Sequence, residues 1–255
     1  MCYYVDGENH IAHSRDEIIG QINAMRGRFK TYESYAETTF EKSFLPEELK
    51  DAYVVKSHNF SSSYMENTGN GTFKLRSLPL NSQMGPLEGI VVEDIDHDGK
   101  QDVVLIGNSY ATEAATGRYD ANMGSLLKGN GDGSFSQIPL SESGFINDFD
   151  GSGLSLMRNA QGNSYLLAAN NDGPLKIFAD TDTSRPDQIY VADADSKFAE
   201  IFLKEGKKYK MEFYYGSGYL SQGSRSIYLS DEIKEIRVTN FNGNTKRVYS
   251  NGEVN

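Results

Sequence analysis

The spacing of apolar residues changes character near position 50. Ile18, Ile19, Ile22, Met25 and Phe29 recur at intervals that put them on one face of a helix. Ser14 and Glu17 stand at capping-box spacing, so this helix is predicted to begin near Arg15. A second helix is predicted from Tyr32 to Phe44, with Tyr35, Phe40 and Phe44 among its apolar positions. Pro46 suits the first turn of a third, short helix through Glu47, Glu48 and Leu49. The aromatic positions of these stripes are expected in a core. Residues 1–51 therefore read as an N-terminal helical segment whose leading residues, with Cys2, His10 and His13, are expected to form a frayed terminus.

From Ala52 onward the apolar runs shorten to strand length, and glycine-rich turns separate them. Two stretches resemble each other. Tyr64 to Asn108 contains ENTGNGTFKLRSLPL and then GIVVEDIDHDGKQDVVLIGN. Leu126 to Asn171 contains LKGNGDGSFSQIPL and then GLSLMRNAQGNSYLLAANN. Phe73 and Phe135 are 62 residues apart, and Gly99 and Gly162 are 63 apart. Each unit offers a hairpin with a Gly/Asn turn, an apolar strand, a loop and a second apolar strand. Repetition of this kind over 52–180 predicts about two β-propeller blades. The spacing exceeds what a blade needs, and the surplus, Tyr110 to Asn122, is expected to be an exposed loop.

After GPLKIF, read as one more strand, DTDTSRPD (residues 180–187) forms a polar break and a plausible linker. Alternating segments then follow within 190–255: FAEIFLK, KKYKMEFYY, SRSIYL, KEIRVTNF and TKRVYS, parted by short Gly/Asn turns. They predict a small antiparallel sandwich or barrel. The fold class that results is mainly β: a partial propeller, a short helical segment before it and a small antiparallel β domain after it.

Composition agrees with short strands and tight turns. Glycine is abundant at 25 residues, tryptophan is absent, and 16 tyrosines and 13 phenylalanines supply the large apolar surface. The net charge of −11 disfavours phosphate backbones, so nucleic acid is not an expected partner, whereas cations are. No apolar run is long enough for a transmembrane helix, and no signal peptide is visible near Met1. Cys2 has no intramolecular partner. A chain without disulfides fits a reducing compartment, or export with a metal in their place.

Asp94, Asp96 and Asp98 are followed by Gly99, and Asp102 closes the loop. Alternate carboxylates converge on one centre when the chain curls around it, and Gly99 permits the sharp turn. The backbone carbonyl of Lys100 is the natural donor between Asp98 and Asp102. Hard oxygen donors of this kind suit Ca2+. An EF-hand is excluded: its twelfth position is Leu105, and the flanks Gly89–Val92 and Val103–Ile106 read as strands rather than helices. The competing reading is a solvated acidic turn. His97 is expected to point outward. The second unit offers Arg158, Ala160 and Tyr165 where the first has Asp94, Asp96 and Asp102, so its loop is expected to be metal-free and held by Arg158 and Asn159. GNGDG at 129–133 and NTGNG at 67–71 read as turns. NDFDGSG at 147–153 lacks a full ligand spacing.

The hairpin and the DxDxDG loop, carried by Gly129–Phe135 and Asp94–Asp102, resemble the FG-GAP/VCBS repeat family of calcium-binding β-propellers. YYGSGYLSQGSRSIYL (214–229) and IKEIRVTNFNGNTKRV resemble the ASPIC/UnbV domain that follows such repeats. With TGRYDANMG and AANNDGPLKIF, the chain is similar to large VCBS-repeat proteins of Bacteroidetes-type bacteria. The resemblance implies an extracytoplasmic location, in the periplasm or at the cell surface. It also implies that the chain is the C-terminal portion of a larger protein. Its open strand edges would then pair with further propeller blades or with another chain.

No nucleophile elbow, HExxH or P-loop is present. The expected role is a non-catalytic, calcium-stabilised binding or scaffolding module that engages protein or glycan at the cell envelope. Tyr214, Tyr215 and Tyr219 stand either in a contact face or in the β-domain core. The alternative is a glycan-active enzyme that uses a propeller cleft and a carboxylate pair, Glu88 and Glu93.

Overall fold

The helical spacing of the N-terminal stretch is realised in short pieces. The computed structural model describes residues 2–113, 116–159, 161–180, 189–250 and 252–254. The terminus does not fray: β1 (Cys2–Val5) and β2 (Glu8–Ile11) form an antiparallel hairpin in which Tyr3 stacks on His10. The turn is made by Asp6 and Gly7, both at positive φ, the geometry that a two-residue hairpin loop demands. Helix α1 (Arg15–Gln21) starts with the expected cap, Ser14 and Glu17 each accepting the other's backbone N–H. It stops at Ile22, and α2 (Met25–Arg28) follows.

The predicted Tyr32–Phe44 helix is also split, into α3 (Tyr32–Ala36) and α4 (Phe40–Ser43). The Thr39 hydroxyl accepts the N–H of Lys42, so a new N-cap arises inside the predicted helix. Pro46 begins a turn rather than a helix. Glu48 there accepts from the Leu45 N–H and pairs with Arg28 at 3.0 Å. Ile18, Ile19, Met25 and Phe29 are buried together as their spacing predicts. The chain divides into two compact units, Met1–Asn59 and Phe60–Asn255.

The second unit is mainly β. It opens with the hairpin of β3 (Ser63–Gly69) and β4 (Thr72–Ser77). A four-stranded antiparallel sheet follows, with its strands in chain order: β5 (Leu87–Glu93), β6 (Asp102–Gly107), β7 (Ser125–Gly129) and β8 (Phe135–Ile138). After α5 (Leu140–Ser143), a three-stranded antiparallel sheet is made by β9 (Gly151–Arg158), β10 (Ser164–Asn170) and β11 (Lys176–Ala179). The sheets therefore do not coincide with the sequence repeats. The hairpin that opens the second repeat, β7–β8, completes the sheet of the first, because Val103–Leu105 pair with Ser125–Leu127.

Val104 and Ile106 on β6, Leu154 on β9, Ala168 on β10 and Phe145 form one core for these two sheets. Gly89 makes the close approach between them: a Cβ there would lie 2.6 Å from Ile106 and 2.8 Å from Leu154. The insertion 110–122 is mostly exposed where it is described, but it returns at a buried point. Asn108 accepts from the Asn122 N–H at 2.9 Å and donates to its carbonyl at 2.7 Å.

Of the expected linker, residues 181–187 lie outside the described residues. Beyond it come β12 (Ile189–Val191), β13 (Ser196–Leu203), β14 (Lys208–Glu212), β15 (Ser226–Tyr228), β16 (Ile233–Asn240), β17 (Thr245–Ser250) and β18 (Glu253–Val254). β12 pairs with β15, and the others form a five-stranded antiparallel sheet in the order β14-β13-β16-β17-β18. Alternation aims Ala199, Ile201, Ile236 and Val238 at Tyr190 and Ile227 of the smaller pair, giving a two-layer core. None of the described sheets closes into a barrel.

Candidate metal centre

The loop from β5 to β6 is folded by its own carboxylates. Asp94 Oδ2 accepts from the Gly99 N–H at 2.9 Å, and Asp98 Oδ1 from the Lys100 N–H at 3.0 Å. Asp102 does more: Oδ2 accepts from the Ile95 N–H at 2.9 Å, and Oδ1 from the Gly129 N–H of β7 at 2.8 Å. Short acidic side chains that satisfy nearby backbone donors are a general way to tighten a turn. Gly99 lies at φ +81°, the left-handed region that favours glycine, and a Cβ there would make a tight contact with the Glu232 side chain at 3.1 Å.

This curl gathers three of the predicted ligands. Oxygens of Asp94, Asp96 and Asp102 all lie within 4.8 Å of one another. Donors around one Ca2+ at 2.3–2.6 Å stand at most about 5 Å apart, so the trio fits the coordination sphere of such an ion. Asp94 is 6% exposed and Asp102 2% exposed. Asp94 Oδ1 is buried with no hydrogen-bond partner among the described residues. Burial pushes the Asp94 carboxyl up to about 6 despite the Gly99 N–H. Burial also raises Asp102, against the N–H groups of Gly129 and Ile95. The fold thus buries carboxylates whose negative form is only partly compensated by backbone N–H groups, a setting that favours a cation. The trio could hold a metal ion.

Asp98 stands outside the trio. Its Oδ2 lies 2.9 Å from Lys128 Nζ and 3.1 Å from Lys100 Nζ. Burial works to raise the Asp98 carboxyl, but the bonds from Lys128 and Lys100 outweigh it and hold it below the usual range. Lys128 also bonds Asp96 Oδ2. The sequence reading passed over Lys128; its signal was a lysine in the β7–β8 hairpin strand that pairs back onto the acidic loop's own sheet. His97 corrects an expectation too. It is half-buried at φ +61°, and its ring stacks on Tyr228 with centroids 4.0 Å apart.

The sister loop closes without acids. Asn159 Oδ1 accepts the N–H groups of Gln161 and Asn163, both at 3.0 Å. Arg158 does not hold that loop. Its Nη2 lies 3.3 Å from Glu93 Oε2, and its Nη1 donates to Ser226 Oγ at 2.7 Å. Ala160, the counterpart of Asp96, lies outside the described residues. The 67–71 and 129–133 segments are hairpin turns, as predicted. In 147–153, Asp148 pairs with Lys176 at 2.8 Å, and Asp150 accepts from the Tyr110 N–H at 3.3 Å.

Of the two glutamates weighed for catalysis, Glu93 is tied to Arg158, while Glu88 sits exposed at the bulge between Leu87 and Gly89. Tyr214, Tyr215 and Tyr219 are 62%, 61% and 64% exposed, so they do not pack the core between the five-stranded sheet and the β12–β15 pair. No helix of the described residues is long and apolar enough to cross a membrane. No family model matches the chain, and no curated protein matches it.

Proposed function

We propose that the β5–β6 loop binds Ca2+, and that the ion braces a propeller-type scaffold acting as a non-catalytic binding module at the cell envelope. The observation that carries the metal reading is the buried, unpartnered Asp94 Oδ1 within reach of Asp96 and Asp102. Asp98 and the Lys100 carbonyl are the further donors, with the Lys128 ammonium released when the ion enters. The ion supplies two positive charges to an acidic loop that otherwise relies on Lys128 and Lys100. A four-stranded chain-order sheet sharing a core with the next antiparallel sheet supports the propeller reading. The likeness to FG-GAP/VCBS repeats and to the ASPIC/UnbV domain supports extracytoplasmic location, pairing with further blades or another chain, and protein or glycan partners.

Calcium titration followed by thermal melting tests this. Ca2+ raises the melting temperature of the wild type, by about 2.7 kcal/mol of stabilisation at a hundredfold excess over Kd. Asp96→Ala loses most of that response. An unchanged melting temperature, or an equal response in Asp96→Ala, overturns the metal reading.

A further inference from the structure

A cavity of about 550 Å3 lies beside the acidic loop, walled by β5, β9, β14 and the segment 213–230. Its volume falls in the range of about 300–1,000 Å3 that small-molecule sites occupy. The wall is built rather than incidental. Gly223 lets the segment lie against β9, since a Cβ there would stand 3.1 Å from the Leu156 carbonyl.

The chemistry of the wall selects a ligand class. Most of its charged groups are already engaged: Glu93 by Arg158 at 3.3 Å, Glu212 by Lys210, and Arg225 by the Asp193 carbonyl at 3.1 Å and the Tyr215 hydroxyl at 2.7 Å. The exception is Asp94, whose Oδ1 has no hydrogen-bond partner among the described residues and is the oxygen assigned above to the proposed ion. A ligand charge that met Glu93, Glu212 or Arg225 would have to displace one of these partners, at a cost that the buried Glu93–Arg158 pair makes large, and an anionic ligand would also be repelled by Asp94. Leu156, Met211 and Phe213 line the cavity together with Ser155, Ser224 and Gln222. The Ser224 hydroxyl accepts from the Arg158 N–H at 2.9 Å, and Gln222 donates to the Gly223 carbonyl at 2.7 Å. Ser155 is 9% exposed, and its Oγ has no hydrogen-bond partner among the described residues. Tyr214, 62% exposed, also lines the cavity and offers an aromatic face to stack on. Many neutral hydroxyls on an apolar ring face describe a sugar.

We propose that this cavity binds a neutral mono- or disaccharide. The proposal deepens the binding-module reading and rests on it. Asp94 and Gly99 also line the cavity, so the sugar and the proposed ion share a wall.

Saturation-transfer NMR on the full chain tests it, with methyl glucoside, methyl galactoside, methyl mannoside, maltose and cellobiose as probes and glucuronate as the charged control. Each is run with Ca2+ and with a chelator. Transfer to at least one neutral sugar is expected, and none to glucuronate. Met211→Trp, which fills the cavity, and Tyr214→Ala, a surface change that leaves the core intact, each weaken binding by about tenfold or more. Absence of transfer to every neutral probe, transfer to glucuronate alone, or undiminished binding in both variants overturns the proposal. The two readings fail separately: a calcium-dependent melting shift without sugar binding removes the cavity proposal, and sugar binding without a melting shift removes the metal loop.

Discussion

Arg158 at the end of β9 reaches Glu93 at the end of β5, with Nη2 3.3 Å from Oε2 and 4% and 13% of the two side chains exposed. The contact joins the edge strands of two sheets and continues through Ser226 Oγ into β15. It also explains the fate of both residues in the sequence reading. Arg158 is unavailable to its own loop, and Glu93 is a buried partner rather than a free acid.

Removing one member of a buried pair leaves the other uncompensated. Arg158→Met is expected to cost about 3–5 kcal/mol in urea unfolding. The double variant Glu93→Leu/Arg158→Met recovers most of that loss. A single variant as stable as the wild type would show that the pair does not brace the sheets.

Asp102 and Asp96 differ in what they do without an ion. Asp102 holds the N–H groups of Ile95 and Gly129, whereas the Asp96 side chain is 41% exposed. With a chelator present, Asp102→Ala is expected to destabilise by about 1–3 kcal/mol. Asp96→Ala costs about 1 kcal/mol or less under the same conditions. Chemical denaturation of both variants measures the contrast, and equal losses would contradict it.

The acidic loop sets a pH dependence of unusual sign. The folded carboxyl of Asp94 sits at about 6 against an ordinary 3.8 because it is buried, and Glu93 is raised by burial as well, partly offset by Arg158. The folded state then keeps a proton that the unfolded chain releases. The stability contribution is full below the ordinary value and is lost as pH rises through about 6. Chelated protein is expected to lose on the order of 2 kcal/mol from Asp94 between pH 4.5 and 7, a loss that Asp94→Asn removes. Saturating Ca2+ reverses the sign for this group, since the ion favours the ionised carboxylate. Stability curves of wild type and Asp94→Asn, each with chelator and with Ca2+, decide it.

The stack of His97 on Tyr228 ties the loop to β15. A double-mutant cycle with His97→Ala and Tyr228→Leu is expected to give about 0.5–1.5 kcal/mol of coupling. A coupling energy of zero would mean that the rings merely touch.

Some of this was written in the chain order itself. The cap at Ser14, the hairpin turns at 67–71 and 129–133, the flanking strands β5 and β6, and the curl of Asp94, Asp96 and Asp102 all depend on residues close in sequence. Backbone preference and local hydrogen bonds decide such features, so spacing and residue type suffice to read them. The break at Thr39 was equally local, but helical spacing masked it, because a hydroxyl that caps and one that faces solvent look alike in a sequence.

The remainder required the tertiary structure. That β7–β8 completes the first sheet, that Lys128 meets Asp96 and Asp98, that Arg158 leaves its loop for Glu93, and that His97 meets Tyr228 are all contacts between distant segments. Each depends on which edges and faces come together, and apolar patterning specifies that a face is buried without saying against what. The sequence by itself determined a β-rich chain with one acid-lined loop. The packing of the sheets decided which acids face each other, which are answered by a lysine or an arginine, and that Asp94 keeps an oxygen with no hydrogen-bond partner among the described residues.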